Sequence, residues 1–308
     1  MAGGRTLILG TRGSRLALRQ TDVAIEALRA QQPDLHVEVR EIRTEGDRSK
    51  ASLMQIGGLG VFVKELEAAL LRNEIDLAVH SLKDVPNDLS DGLTLAAVLP
   101  RADPRDALVA RDGATLADLP AGARVGTGSA RRAVQLRLLR PDIEPVDIRG
   151  NVDTRVRKVD EGEFDAAVLA VAGLERLGLL DRASQVFDAD AMLPAVGQGA
   201  VALEARADDA EVLALLAAAD HSDSRLACEA ERAFLARLGG GCRLPFGALA
   251  TVEGETLHAR GFISDAEGAR LFRADVSGPT NAAAAVGVEL AEALLAQGAE
   301  VGVVGTDL

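Results

Sequence analysis

TLILGTRGSRLALRQTDVAIEALRAQQPDLHVEVREI, running from Thr6 to Ile42, is the stretch on which the fold turns. Thr6 to Gly10 is an apolar run of strand length, and TRGS then leads into a segment where Leu16, Val23, Ala24 and Leu28 recur at helical spacing. Pro33 lies just past the helix end, and Leu35 to Ile42 alternates apolar and polar residues as a half-buried strand does. Strand, helix and strand in that order make a βαβ unit, so parallel pairing is expected.

The same grammar continues outward. A helix is expected over Val61 to Asn73, with Phe62, Leu66, Ala69 and Leu70 on one face, followed by a buried strand from Ile75 to Val79. After ADPRDALVA at Ala102 to Ala110 a second α/β unit starts: strand Arg124 to Gly126, loop, helix Ala130 to Leu139, a strand near Val146, helix Val152 to Glu161 and strand Asp165 to Val171. Both units are expected to hold largely parallel sheets. The C-terminal third changes character, with helix Asp223 to Leu238, a glycine run, strands near Phe246, Leu257 and Leu271, and helix Asn281 to Gln297. That pattern reads as a small antiparallel α+β domain.

Composition narrows the function classes. At 308 residues the chain suggests two or three domains, and its 48% hydrophobic content is that of a folded globular protein. Aromatic residues make up 2%, with no Trp or Tyr, which disfavours binding of single-stranded nucleic acid by stacking. A formal net charge of −13 repels polyphosphates and anionic membranes at long range. No apolar run approaches the ~20 residues of a membrane span, and the first ten residues do not read as a signal peptide, so the expected address is the cytoplasm. The two cysteines, Cys228 and Cys242, are not expected to form a disulfide framework there. The histidines show no i, i+4 pair, and no metal site is expected.

Ligands of open α/β sheets sit outside the carboxyl ends of strands, and four loops fall at such ends: Thr11 to Ser14, His80 to Asp84, Thr127 to Arg132 and Arg149 to Arg155. Ser129 is placed to cap the helix opening at Ala130, whose free N–H groups attract anions. Arg131 and Arg132 stand in the first turn of that helix, where the macrodipole disfavours cations, so they read either as functional groups or as solvated surface. Between Arg124 and Lys158 there are nine basic and four acidic residues, a concentration of positive charge inside an acidic chain. Guanidinium groups grip carboxylates through paired hydrogen bonds, and the implied ligand is a small polyanion. Lys83 and Asp84 follow a buried strand; Asp84 reads as a functional carboxylate or as a turn residue ahead of Pro86. Cys242 follows three glycines and precedes Arg243, which favours a thiolate, while sequence alone leaves its reactivity open. GQGAVA at Gly197 to Ala202 matches a dinucleotide pattern only formally, since no clear strand precedes it.

GVFVKELEAALL, AVHSLKDVP, DPRDALV, SARR, RGNVDTR, LAVAGLERLG, LPAVGQGA and GGGC occur together and in order, and through them the chain resembles the porphobilinogen deaminases (hydroxymethylbilane synthases) from about Leu7 to Pro245. The resemblance implies two doubly wound α/β domains similar to periplasmic anion-binding proteins, with the active cleft between them, plus a small α+β C-terminal domain. The expected boundaries are 1–100 with a return segment 198–217, then 101–197, then 218–308. It further implies a transferase of tetrapyrrole and heme biosynthesis that condenses four porphobilinogen molecules head to tail into hydroxymethylbilane and releases ammonia. A dipyrromethane cofactor on Cys242 would prime the chain. Arg12, Ser14, Lys83, Ser129, Arg131, Arg132, Arg149 and Arg155 map onto the family's carboxylate-binding positions, and Asp84 onto its catalytic aspartate. A monomer with no nucleic-acid or membrane partner is expected. The sequence departs from the family pattern at Leu59 for Lys, Gly128 for Ser, Ala130 for Leu, Arg15 for Pro and Gly239 for Glu. A non-catalytic small-anion-binding protein of the solute-receptor type is the rival; Asp84 and Cys242 favour catalysis.

Overall fold

The computed structural model describes residues 6–44, 60, 63–239 and 245–299. Two compact units are formed, one from Met1–Ala102 with Ala200–Arg225 and the other from Asp103–Gly199 with Leu226–Leu308.

In the first unit β1 (Leu7–Thr11), α1 (Arg15–Gln31) and β2 (Val37–Glu41) form the expected βαβ crossover, with β1 and β2 parallel. The sheet continues through β3 (Leu77–Ser81), β10 (Val201–Arg206) and β4 (Leu93–Val98), in the order β2-β1-β3-β10-β4. α1 and α6 (Ala210–Ala219) cover one face, where Leu9, Leu28, Leu77, Leu203 and Leu216 pack together. α2 (Lys64–Leu71) covers the other through Leu66, Leu70, Ile75 and Ala78. Burial on both faces explains why β3 is apolar from Leu77 to Val79 with no alternation.

The second unit repeats that layout. Its sheet runs in the order β7 (Glu144–Val146), β6 (Arg124–Gly126), β8 (Ala166–Ala170), β5 (Asp106–Ala110) and β9 (Gln185–Val186). α3 (Ala130–Leu139) and α4 (Val152–Asp160) follow β6 and β7, and the short helix α5 (Val171–Arg176) follows β8.

Both sheets are mixed, which corrects the expectation of largely parallel ones. β10 runs antiparallel to β3 and β4, and β5 antiparallel to β8 and β9. The reason lies in connectivity: β5 and β10 are the first strands formed after the chain crosses from one unit to the other near Ala102 and Gly199. No crossover helix precedes either of them, so the parallel rule does not bind them.

The remainder of the second unit is an antiparallel meander, β11 (Phe246–Glu253), β12 (Thr256–Ser264) and β13 (Leu271–Pro279), backed by α7 (Ser222–Arg237) and α8 (Ala283–Ala296). This is the expected small α+β domain. The two helices touch at Gly287, where an added Cβ would meet the Ala230 carbonyl oxygen, so only glycine permits the approach. Buried Glu231 of α7 accepts from the N–H groups of Gly197 at 2.7 Å and Ala250 at 2.9 Å, tying the meander to the chain just before the second crossing. Among the described residues no helix is long and apolar enough to cross a membrane.

Candidate functional site

In the first unit β1 and β3 are parallel neighbours, so the loops at their carboxyl ends lie at the same edge of the sheet. This brings together Arg12 and Ser14 with Lys83 and Asp84. Ser14 is the N-cap of α1, its hydroxyl accepting from Ala17 N–H at 3.2 Å. Buried Gln20 of α1 donates to the Ser81 hydroxyl at 2.7 Å, fixing the end of β3 from which the next turn departs. That turn is a 3-10 turn, Leu82–Asp84. It buries Leu82, leaves Lys83 and Asp84 half-exposed, and is closed by a hydrogen bond from Val85 N–H to the Leu82 carbonyl. Asp84 makes no hydrogen bond or ion pair among the described residues. A half-buried carboxylate without a partner among the described residues can answer a ligand.

In the second unit β6 and β7 are parallel neighbours as well, and the loops after them bring Ser129, Arg131 and Arg132 to the same edge as Arg149 and Arg155. Ser129 caps α3, as its spacing predicted, with its hydroxyl 3.5 Å from Arg132 N–H. Arg149 is partly exposed and bonds Asp147 at 3.1 Å, and Arg155 donates to the Gly150 carbonyl at 2.7 Å. At Gly128, where the resemblance led to the expectation of Ser, an added Cβ would stand 3.0 Å from Asp147 Oδ1. Glycine there leaves the Asp147 carboxylate its place beside Arg149.

Arg131 and Arg132 are not solvated surface: each is only 6% exposed. Both turn onto Asp106, the first residue of β5 and fully buried. Arg132 Nε and Nη2 donate to Asp106 Oδ1 at 3.1 and 2.6 Å, and its Nη1 to the Val168 carbonyl at 2.9 Å. Arg131 Nη1 donates to the Leu193 carbonyl at 2.6 Å, and its Nη2 stands 2.8 Å from Asp106 Oδ2, a close ion contact without hydrogen-bond alignment. Gln198 completes the cluster, its amide donating to Asp106 Oδ1 at 2.8 Å and the Pro104 carbonyl at 2.7 Å.

Among the described residues the charges of this cluster do not balance. Two guanidiniums face one carboxylate, and buried Arg131 Nε has no partner among the described residues. Burial drives Asp106 toward neutrality, but Arg131 and Arg132 outweigh it and hold its carboxyl below the usual carboxylate range. Burial pulls the Arg131 guanidinium down, against Asp106, with Arg132 adding repulsion. Arg176, at the end of α5, is a further partly buried cation; it donates to the Gly199 carbonyl at 2.8 Å, and burial lowers its pKa against the pull of Glu175. A buried surplus of positive charge is unfavourable unless an anion answers it.

Sequence reasoning missed Asp106, Gln198 and Arg176. Asp106 had a visible signal, a charged residue opening the fully apolar run ALVA. Gln198 lay inside the GQGAVA stretch, which is a turn entering β10 and not a nucleotide loop. Cys242 and Leu59 lie outside the described residues. Among the described residues no cluster of His, Cys, Asp and Glu has the makings of a metal site.

Residues 7–214 match the family model described as porphobilinogen deaminase, dipyromethane cofactor binding domain, and residues 225–296 the model of its C-terminal domain. A porphobilinogen deaminase of Roseiflexus sp. (strain RS-1) is 55% identical over 295 residues, covering 96% of this chain and 97% of that protein. One of Pelotomaculum thermopropionicum is 50% identical over 296 residues, covering 96% and 95%. Among solved structures, the methionine binding protein MetQ aligns at 15% identity with a TM-score of 0.45, covering 70% of this chain and 89% of that one.

Proposed function

Since the chain belongs to the porphobilinogen deaminase family, we propose that it joins four porphobilinogen molecules head to tail into hydroxymethylbilane, with loss of ammonia at each condensation. The observation that carries this reading is the uncompensated positive charge buried at the start of α3. Each pyrrole of substrate and cofactor brings an acetate and a propionate, and such a polycarboxylate supplies the missing anion. The described residues therefore fit a dipyrromethane, and Arg131 Nε is the orphaned donor that favours one.

When bound, the dipyrromethane supplies the nucleophilic α-carbon onto which new pyrrole units are added. Ser129, Arg131, Arg132, Arg149, Arg155, Arg12, Ser14 and Lys83 hold carboxylates. Asp84 accepts from pyrrole N–H groups and stabilises the cation left on the substrate carbon when ammonia departs. An ionised carboxylate suits that role because opposite charge nearby lowers the cost of forming the cation. The domain boundaries expected above, a monomeric state and a cytoplasmic setting belong to the same proposal; size-exclusion chromatography with light scattering tests the second.

Cys228 supports Cys242 as the attachment point. It is 1% exposed inside α7, so nothing could be linked to it without opening that helix. Intact mass under denaturing conditions should exceed the sequence mass by two linked pyrrole units, and Cys242→Ser should abolish the increment while Cys228→Ser keeps it. An unmodified wild type from cells supplied with porphobilinogen would overturn the reading.

The charge imbalance makes a second test. Arg131→Met leaves Arg132 and Asp106 as a neutral pair, so the fold should survive with a small stability change while primer content falls. Cofactor loading comparable to wild type in that variant would remove Arg131 from the site.

A further inference from the structure

Among the described residues the first unit buries an ionisable pair of its own, separate from the arginine cluster of the second unit. His80, on the strand that runs into the Asp84 turn, places Nε2 2.8 Å from Glu204 Oε2 on β10. The histidine side chain is 3% exposed and the glutamate 0%. Glu204 Oε1 is buried with no partner among the described residues, so the histidine is what holds this carboxylate.

Three features of the backbone converge on the pair. In the β3/β10 register His80 faces Ala202 and Glu204 faces Ala78, which makes the contact diagonal across neighbouring antiparallel strands. The register between β10 and β4 shifts between Leu203 and Glu204, where Leu203 faces Ala97 and Glu204 faces Leu95. The extra residue, Ala96, lies on β4, so the bulge falls opposite Glu204 while β10 itself keeps unbroken register with β3. The ladder then runs past the strand end: Ser81 faces Val201, and Leu82 N–H donates to the Ala200 carbonyl at 3.1 Å. The first residue of the Asp84 turn is thereby hydrogen-bonded to the segment that emerges from Gly197 to Gly199, where two glycines adopt positive φ.

We propose that His80 and Glu204 are a positioning pair for the known reaction: they clamp β3 to β10 and hold the Leu82–Asp84 turn at the setting in which the Asp84 carboxylate meets substrate. This rests on the reading that Asp84 acts in turnover. A buried polar pair is weak as a source of stability, since packed apolar residues of similar volume commonly do as well or better. Its retention beside the turn is explained by the register it specifies.

That contrast supplies the experiment. His80→Phe/Glu204→Leu replaces the pair by apolar side chains in holoenzyme. Melting temperature and covalent cofactor content should stay near wild type and KM within about twofold, while kcat falls by about tenfold to hundredfold, as a small misplacement of a reacting group does. Amide hydrogen exchange over residues 82–85 should accelerate. Should the double variant not fold, Glu204→Gln decides: it keeps shape with a weaker neutral hydrogen bond, and kcat should fall by about threefold to tenfold at unchanged KM. A variant with wild-type kcat, or with wild-type exchange at residues 82–85, overturns the proposal. A wild type that leaves porphobilinogen unconsumed would overturn the functional reading instead, and the exchange measurement would still decide whether the pair holds the turn.

Discussion

Asp106→Asn should unfold the second unit far more readily than any single arginine replacement in the same cluster. The substitution preserves volume and removes the only negative charge that Arg131 and Arg132 share, leaving two guanidiniums buried at 6% exposure with no counter-ion among the described residues. Removing one partner of a buried ion pair costs about 3–5 kcal/mol. At roughly 2–4 °C of melting temperature per kcal/mol for a body of this size, the transition should move down on the order of 10 °C. Gln198 would lose its acceptor at 2.8 Å in the same stroke. Calorimetry of the variant beside Arg131→Met tests the ordering. If Asp106→Asn melted no lower than Arg131→Met, the carboxylate would not be what makes the buried arginines tolerable.

The same aspartate sets an acid limit. Its folded pKa lies below the ordinary value because Arg131 and Arg132 outweigh the penalty of burial. A depressed folded pKa means that the unfolded chain binds the proton more readily. The stabilising contribution is therefore complete above the unfolded Asp range near about 4 and is lost progressively as pH falls below it. Wild-type stability should drop through that acid window. In Asp106→Asn the drop should be shallower, because the group responsible has been removed.

What could be read from the chain was local, and what escaped was long-range. Ser129 was legible as a helix cap because a cap is decided within three residues. The βαβ crossovers were legible because hydrophobic period and a short breaker suffice to define them. The arginines at the start of α3 stood out as a conflict with the helix dipole, and the structure resolves that conflict with a carboxylate 26 positions away. No period or spacing reports such a partner. The return segment was implied by the resemblance alone, and no local pattern reported that β10 would insert between β3 and β4. Polar residues buried inside α1, Gln20 and Thr21, also broke the expected apolar stripe, and Gln20 earns its burial through Ser81 at 2.7 Å.

Asp84 should behave as the reverse of Asp106. No described residue uses its carboxylate, so Asp84→Asn and Asp84→Ala should melt close to wild type while losing turnover. In the proposed role, the charge it would stabilise develops only as ammonia leaves and the new carbon–carbon bond forms. Interactions made chiefly in the transition state appear in kcat when removed, and contacts shared with the ground state appear in KM. Loss of one preorganised electrostatic group commonly costs on the order of 10²–10³ in kcat, and that is the fall expected for Asp84→Ala with KM little changed. Asp84→Glu keeps the charge and displaces it, giving slow but measurable turnover. Asp84→Asn keeps the shape and one acceptor oxygen and drops the charge, which separates hydrogen bonding to the pyrrole N–H groups from stabilisation of the cation. Ammonia release followed under single-turnover conditions reads the step directly. If the Asn protein released ammonia at near the wild-type rate, hydrogen bonding would suffice and the ionised carboxylate would have no part in the chemistry.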